Sequence, residues 1–121
     1  MLVRLACCVA LTMCVLMPHA VRAGCAEDVS KLMTKDTEKL TTRFNRIAKQ
    51  AQQRGASARV VKEECRIARE LKPRLEDQLA ALKQLGCSAD PAVGNMITDI
   101  VRGHEDDLAA ATKTASRSEC R

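Results

Sequence analysis

Cysteine is the residue type in this chain that could carry the most varied chemistry. Three of the seven cysteines lie in the first 23 residues, and four lie beyond them: Cys25, Cys65, Cys87 and Cys120. These four show no C-x-x-C spacing and no pairing with histidine, which argues against a zinc site, haem attachment or thioredoxin-like redox chemistry. Nothing in the neighbourhood of Cys65 marks it as a nucleophile. An even number of cysteines in a short exported chain is typical of a disulfide framework, so we predict two bridges.

The histidine and carboxylates of the C-terminal third offer a second kind of chemistry, metal binding. His104 is the one histidine after residue 23, and Asp107 follows one helical turn later in the acidic run 105–107. His104 also falls in phase with the apolar stripe of a predicted helix. We therefore favour a hydrogen-bonded residue at the edge of the core, beside a solvated acidic face. No nucleophile can be matched with a base and no phosphate-binding glycine loop is present, so the sequence predicts a non-enzymatic protein without cofactor or metal.

The first 23 residues have the layout of a secretory signal peptide. Arg4 precedes the apolar run Leu5–Met17, and Val21 and Ala23 are the small residues that a signal peptidase reads. The run of about 13 residues is shorter than the roughly 20 that a membrane-spanning helix needs, so a retained anchor is the less favoured alternative. We predict cleavage after Ala23 and a folded domain over residues 24–121.

Cys25 raises the alternative of a lipoprotein, because a diacylated cysteine at this position would tether the domain to a membrane. Arg22 stands where a lipidation signal prefers leucine or another aliphatic residue. Lipidation would also remove one cysteine from an even set. We therefore expect a periplasmic or secreted protein, with the lipoprotein as the alternative.

After residue 24 the apolar residues recur at the three- and four-residue steps of amphipathic helices, and no alternating pattern predicts a strand. One helix is predicted over about 25–53, a second over 57–86 and a third from Asp90 onwards. The turns between them are short, which favours antiparallel neighbours. Pro73 falls within the second helix, whose apolar stripe keeps its phase across the proline, so we predict a kink rather than a break into two helices. The predicted fold is all-α, an up-down-up three-helix bundle with a proline-kinked middle helix and two disulfides.

Helix length selects the pairing of the four cysteines. Helices of nearly 30 residues are roughly 40 Å long, whereas a disulfide needs its Cα atoms within about 7 Å of each other. Cys25 and Cys87 lie at one end of the predicted bundle, and Cys65 and Cys120 lie near the other. Of the three connectivities, only Cys25–Cys87 with Cys65–Cys120 is compatible with this geometry.

Charge is distributed unevenly along the chain. Residues 39–74 contain 11 basic and 3 acidic residues, a balance of +8, whereas the remainder of 24–121 contains 7 basic and 12 acidic residues, a balance of −5. The basic stretch forms the hairpin between the first two predicted helices. Basic residues at the start of the second helix oppose the helix dipole, which therefore does not account for them. The candidate partner-binding residues at this basic end are Arg46, Lys49, Arg54, Arg59, Lys62, Arg66 and Arg117.

A basic end on an exported, disulfide-bonded bundle predicts a protein-interaction module, of an inhibitor, immunity or chaperone-like type, that binds an acidic partner. The alternative is an envelope-associated binder of anionic lipid or surface polymer, and a basic helical surface can also have no binding role. Nucleic acid is not expected, because the chain is exported and its one Phe, without Trp or Tyr, provides no stacking surface. The heptad-like apolar spacing also permits a homodimer.

Overall fold

The computed structural model describes residues 24–121, so the predicted signal peptide and its cleavage after Ala23 lie outside the described residues. Every regular element in this part of the chain is helical, which confirms the all-α class. The four α-helices are α1 (Cys25–Leu32), α2 (Lys35–Ala51), α3 (Ala58–Gln84) and α4 (Gly94–Ala115), and short 3-10 turns occupy Cys87–Ala89 and Ser118–Cys120. None of the helices in residues 24–121 has the length and apolar character required to cross a membrane.

The segment predicted as one first helix is divided into α1 and α2. Met33 leaves the helical region of backbone conformation (ψ 81°), and Thr34 is extended. The Thr34 hydroxyl caps α2 by accepting a hydrogen bond from the backbone amide of Thr37 at 3.4 Å. Gln78 of α3 donates to the carbonyl of Leu32, the last residue of α1, at 2.5 Å. The apolar spacing continues across the break, which is why spacing alone predicted an uninterrupted helix.

Helix α3 is the central element of the fold and continues unbroken through Pro73. The proline ring is exposed, so the residue occupies the solvent side of the helix. The opposite side is buried at three- and four-residue steps, at Ile67, Ala68, Leu71, Leu75, Leu79 and Leu82. A leucine buried to this extent contributes about 1.5–3 kcal/mol relative to an exposed one, so packing offsets the hydrogen bond that the proline lacks.

Two apolar clusters stabilise the two ends of the domain. Phe44 of α2 and Ala111 of α4 pack on Ile67, Leu71 and other buried residues of α3. The second cluster joins Val29, Leu82, Cys87 and Ile97, and so links α1, α3 and α4. Contacts occur in opposite chain order along neighbouring helices, since Leu32 contacts Gln78 whereas Arg43 contacts Glu63. The segment from Leu32, at the end of α1, to Arg43 of α2 therefore runs in the opposite direction to α3.

Both disulfides join the cysteines whose pairing the helix lengths predicted. Cys25 is bonded to Cys87 with Cα atoms 5.8 Å apart, and Cys65 is bonded to Cys120 with Cα atoms 5.2 Å apart. The first bond ties α1 to the turn after α3, and the second ties α3 to the C-terminal 3-10 turn.

Candidate interaction surface

The turn between α2 and α3 places the basic stretch at one end of the domain. Gly55 has a φ of 78°, a left-handed conformation in which a β-carbon would be strained. Ser57 then caps α3, its hydroxyl accepting a hydrogen bond from the amide of Val60 at 3.3 Å. The connection consists of the six residues 52–57, and the last residues of α2 lie beside the first residues of α3.

Five of the seven predicted residues form what we call the open cations. They are exposed, and none of them makes an ion pair within residues 24–121: Arg46, Lys49, Arg54, Arg59 and Lys62. At 1.5 Å per residue, those on the two helices lie within about 8 Å of the turn, measured along the helix axes. Because no carboxylate of the described residues pairs with them, these side chains are available to an external anion.

Arg66 differs from the open cations because it belongs to an ion-pair network across α2 and α3. Its guanidinium donates to the Glu63 carboxylate at 2.8 and 2.9 Å, and Arg43 of α2 donates to the same carboxylate at 2.5 Å. Glu70 accepts from Arg66 and from Arg74, each at 3.2 Å. The hydrogen bond from Arg66 lowers the pKa of Glu63 against an opposing effect of desolvation, and the positive charges of Arg66, Arg43 and Arg59 lower it further. Sequence reasoning missed this network, although the three- and four-residue steps from Glu63 to Arg74 are typical of helical ion pairs.

A groove of about 1230 Å³ runs between α2 and α3 beside the turn. We call it the α2–α3 groove, and its lining residues are Arg43, Ile47, Ser57, Arg59, Val60, Lys62, Glu63, Arg66, Arg69 and Glu70. Arg59, Lys62 and Arg66 thus share one concave surface. Arg46 and Lys49 instead lie outside this groove, along a separate shallow depression of α2.

Arg117, the seventh predicted residue, has an internal partner. Its guanidinium donates to the carboxylate of Glu64, whose side chain is only 2% exposed, whereas the Arg117 side chain is 36% exposed. The Nε atom of Arg117 is buried and has no hydrogen-bond partner among the described residues. Arg69 likewise donates to the carbonyl of Cys120 at 2.5 Å. Both arginines hold the C-terminal turn on α3, so Arg117 has a stabilising role in the structure beside any role in binding.

His104 lies at the edge of the core, as the apolar phase of α4 predicted. Its Nδ1 is 3.0 Å from the carbonyl of Ile100, and its Nε2 is 3.1 Å from the side-chain oxygen of Gln78. Burial raises the pKa of Asp107, an effect that the charge of His104 opposes. Within residues 24–121, no group of three or more His, Cys, Asp or Glu side chains is placed to hold a metal ion.

Comparison of the chain with known proteins gives no further guide to this surface. No protein-family model, no curated protein and no solved structure matches the sequence or the fold. The functional interpretation therefore depends on the geometry and charge of the described residues.

Proposed function

We propose that the domain is an exported, non-enzymatic interaction module whose basic end binds an acidic partner protein. The observation that carries this proposal is the group of five open cations around the α2–α3 turn, none of them paired within residues 24–121. Farther along α3, Arg66, Lys72 and Arg74 are paired with carboxylates one turn away. A cation without an internal partner can pair with a carboxylate of another protein and loses no existing ion pair in doing so.

Rigidity supports a binding role for this surface. The two disulfides connect α1 with the end of α3 and α3 with the C-terminal turn. A surface fixed before binding loses less conformational entropy on association, which favours affinity. Disulfides also persist in oxidising compartments, and this supports our proposal that the protein is periplasmic or secreted.

We propose further that the four helices act as one up-down-up bundle, in which α1 and α2 together form the first arm and α3 bends at Pro73. The contacts of Leu32 in α1 and of Arg43 in α2 occur in opposite chain order along α3, which supports the first part. The exposed position of Pro73 within a continuous helix supports the second. Association of two copies stays a prediction, and in residues 24–121 the exposed large apolar side chains are Met33 and Met96.

Partner capture tests the proposed function. The immobilised 24–121 domain is compared with a variant carrying Arg54→Glu, Arg59→Glu and Lys62→Glu, and the captured envelope proteins are identified by mass spectrometry. The control makes the same change of net charge at three exposed basic residues away from the turn, Lys31, Lys35 and Arg102, of which Lys31 and Arg102 pair with exposed carboxylates on their own helices. We expect one or a few acidic proteins to bind the native domain and the control but not the first variant. Capture that survives the first variant would rule the basic end out.

Binding of anionic lipid or surface polymer is the alternative that the same proteins can test. Sedimentation with phosphatidylglycerol vesicles at low ionic strength measures it directly. Our proposal predicts weak, non-selective sedimentation that salt abolishes. Strong vesicle binding without capture of any acidic protein would support the lipid binder instead.

A further inference from the structure

The α2–α3 groove is lined by five basic residues, by apolar side chains and by the carboxylates of Glu63 and Glu70. Arg43 comes from α2, and Arg59, Lys62, Arg66 and Arg69 come from α3, whereas Ile47 and Val60 are half-buried apolar residues between them. From Arg59 to Glu70 the groove follows α3 for about 16 Å, which is three helical turns. A surface of this length can contact a short peptide segment along its whole extent.

Glu63 shows how this groove binds a carboxylate. Its two oxygens accept three hydrogen bonds, one from Arg43 on α2 and two from Arg66 on α3. Charge-assisted hydrogen bonds of this kind hold the arginine side chains in fixed positions. Farther towards the turn, Arg59 and Lys62 face the same groove without a carboxylate of their own among the described residues.

Resting on the proposed function, we propose that the α2–α3 groove binds an acidic, amphipathic helical segment of the partner protein. Carboxylates on one side of that segment pair with Arg59 and Lys62, and its apolar side chains pack on Ile47 and Val60. Charge complementarity requires a bound segment with a negative net charge, and the three-turn length of the groove corresponds to a segment of about 11 residues. A concave groove also favours a narrow segment over the flat surface of a membrane.

A defined peptide tests this assignment without knowledge of the partner. The probe is a fluorescein-labelled helical peptide of about 15 residues with glutamates on one face and leucines on the other, measured by fluorescence anisotropy. Two companion peptides replace all glutamates by glutamine or all leucines by serine. We expect the first companion to lose binding and the second to bind at least about fivefold more weakly, because charge and apolar contact both contribute.

Two charge-matched variants locate the binding site. Arg59→Glu with Lys62→Glu reverses two cations inside the groove, whereas Arg46→Glu with Lys49→Glu reverses two open cations outside it. The groove variant should weaken peptide binding by at least about tenfold, and the outer variant by about threefold or less, since only general electrostatic attraction is lost there. Equal weakening by the two variants would overturn the groove assignment.

Replacing Glu63 by glutamine should strengthen binding, which a purely structural role would not do. The change removes the carboxylate that engages Arg43 and Arg66, and so leaves Arg43 without an internal ion pair and Arg66 with Glu70 as its remaining partner. We expect affinity to rise by about threefold or more. Glu76→Gln, which makes the same change on α3 outside the groove, should leave affinity within about twofold of the native protein. Unchanged or weaker binding by the Glu63 variant would contradict the assignment.

The groove assignment and the proposed function fail in different ways. If the domain captures an acidic protein but capture depends on Arg46 and Lys49 rather than on Arg59 and Lys62, the proposed function stands and the groove assignment is wrong. If the peptide does not bind at low ionic strength, the groove assignment is also wrong. If no acidic protein is captured, the proposed function fails. Circular dichroism of each variant checks that it remains folded, and a variant that unfolds is replaced by the corresponding pair of glutamine substitutions.

Discussion

Replacing Cys65 and Cys120 together by alanine removes the bond between α3 and the C-terminal turn, and we expect it to cost the domain a large fraction of its stability. The two residues are 55 positions apart in the chain. For a loop of that length the chain-entropy relation gives about 4 kcal/mol at 25 °C, because the open chain gains freedom in the unfolded state. Small domains are stable by about 5–15 kcal/mol, so the loss is a large fraction of the total.

Urea denaturation of the oxidised domain and of the double-alanine variant measures the difference in their free energies of unfolding, and thermal melts give a second measure of the same loss. Each kcal/mol lowers the midpoint of thermal unfolding by about 4–8 °C in a domain of this size, so the variant should melt about 20 °C below the native protein. The slope of the free energy of unfolding against urea should also become steeper, because an unfolded chain without the bridge exposes more surface. The slope separates an effect on the unfolded state from lost packing in the native state.

The other bond provides the control. Cys25 and Cys87 are 62 positions apart, so the same relation gives a nearly equal loss for the variant that replaces both by alanine. A loss below about 1 kcal/mol in both variants would refute the loop-closure reasoning. If the free energy of unfolding depended on urea no more steeply in either variant than in the native protein, the stabilisation would come from contacts in the native state instead.

Three further predictions concern buried polar groups. Arg117→Ala should destabilise the domain by about 2–3 kcal/mol, because it leaves the buried Glu64 carboxylate without its partner. In a double-mutant cycle, the same substitution should cost less stability when Glu64 has already been replaced by glutamine. Equal losses in the two backgrounds would contradict the ion pair. Gln78→Leu should cost about 1–3 kcal/mol because it removes the side-chain donor to the Leu32 carbonyl, which then keeps only the backbone amide of Thr34, and hydrogen exchange should show the loss concentrated where α1 meets α2. The midpoint of thermal unfolding of the native domain should fall as pH rises above about 4, and Asp107→Asn should make this fall smaller.

The sign of the Asp107 prediction follows from the direction of its pKa shift. Burial raises the pKa above the ordinary value of 3.8, so the folded protein binds the proton more tightly than the unfolded chain. The associated stability is present at pH values below the unfolded pKa and is lost as pH rises through the folded pKa. Thermal melts from pH 3 to 7 compare the asparagine variant with Asp77→Asn, an exposed carboxylate on α3. Identical pH profiles for the two variants would contradict the role of burial.

The disulfide pairing was predictable because an α-helix has a fixed rise per residue, so the number of residues between two cysteines gives their separation along the helix axis. Once the helices were predicted over about 25–53, 57–86 and from Asp90 onwards, the distances along the helix axes excluded two of the three connectivities. The position of the open cations was predictable for the same reason, since a short turn brings the end of one helix beside the start of the next. Both predictions needed only the length of each helix and the place where it ends.

Other features depend on contacts that chain spacing does not encode. The break at Thr34 is stabilised in part by Gln78, which lies 46 positions from Leu32 along the chain. The partner of Arg117 is 53 positions away and is a glutamate that lies on the buried side of α3 next to Cys65. Arg117 therefore looked like another surface cation in the sequence, although its charge is held mainly by an internal carboxylate.

The two disulfides overlap along the chain, since the bond from Cys65 begins inside the loop that the bond from Cys25 closes. As a result, a single peptide bond cut anywhere between residues 25 and 120 leaves every part of the domain covalently connected. A protease that cuts after Arg54 would separate α2 from α3 in sequence yet leave the two walls of the groove in one molecule. Gel electrophoresis with and without a reducing agent would distinguish such a nicked domain from an intact one.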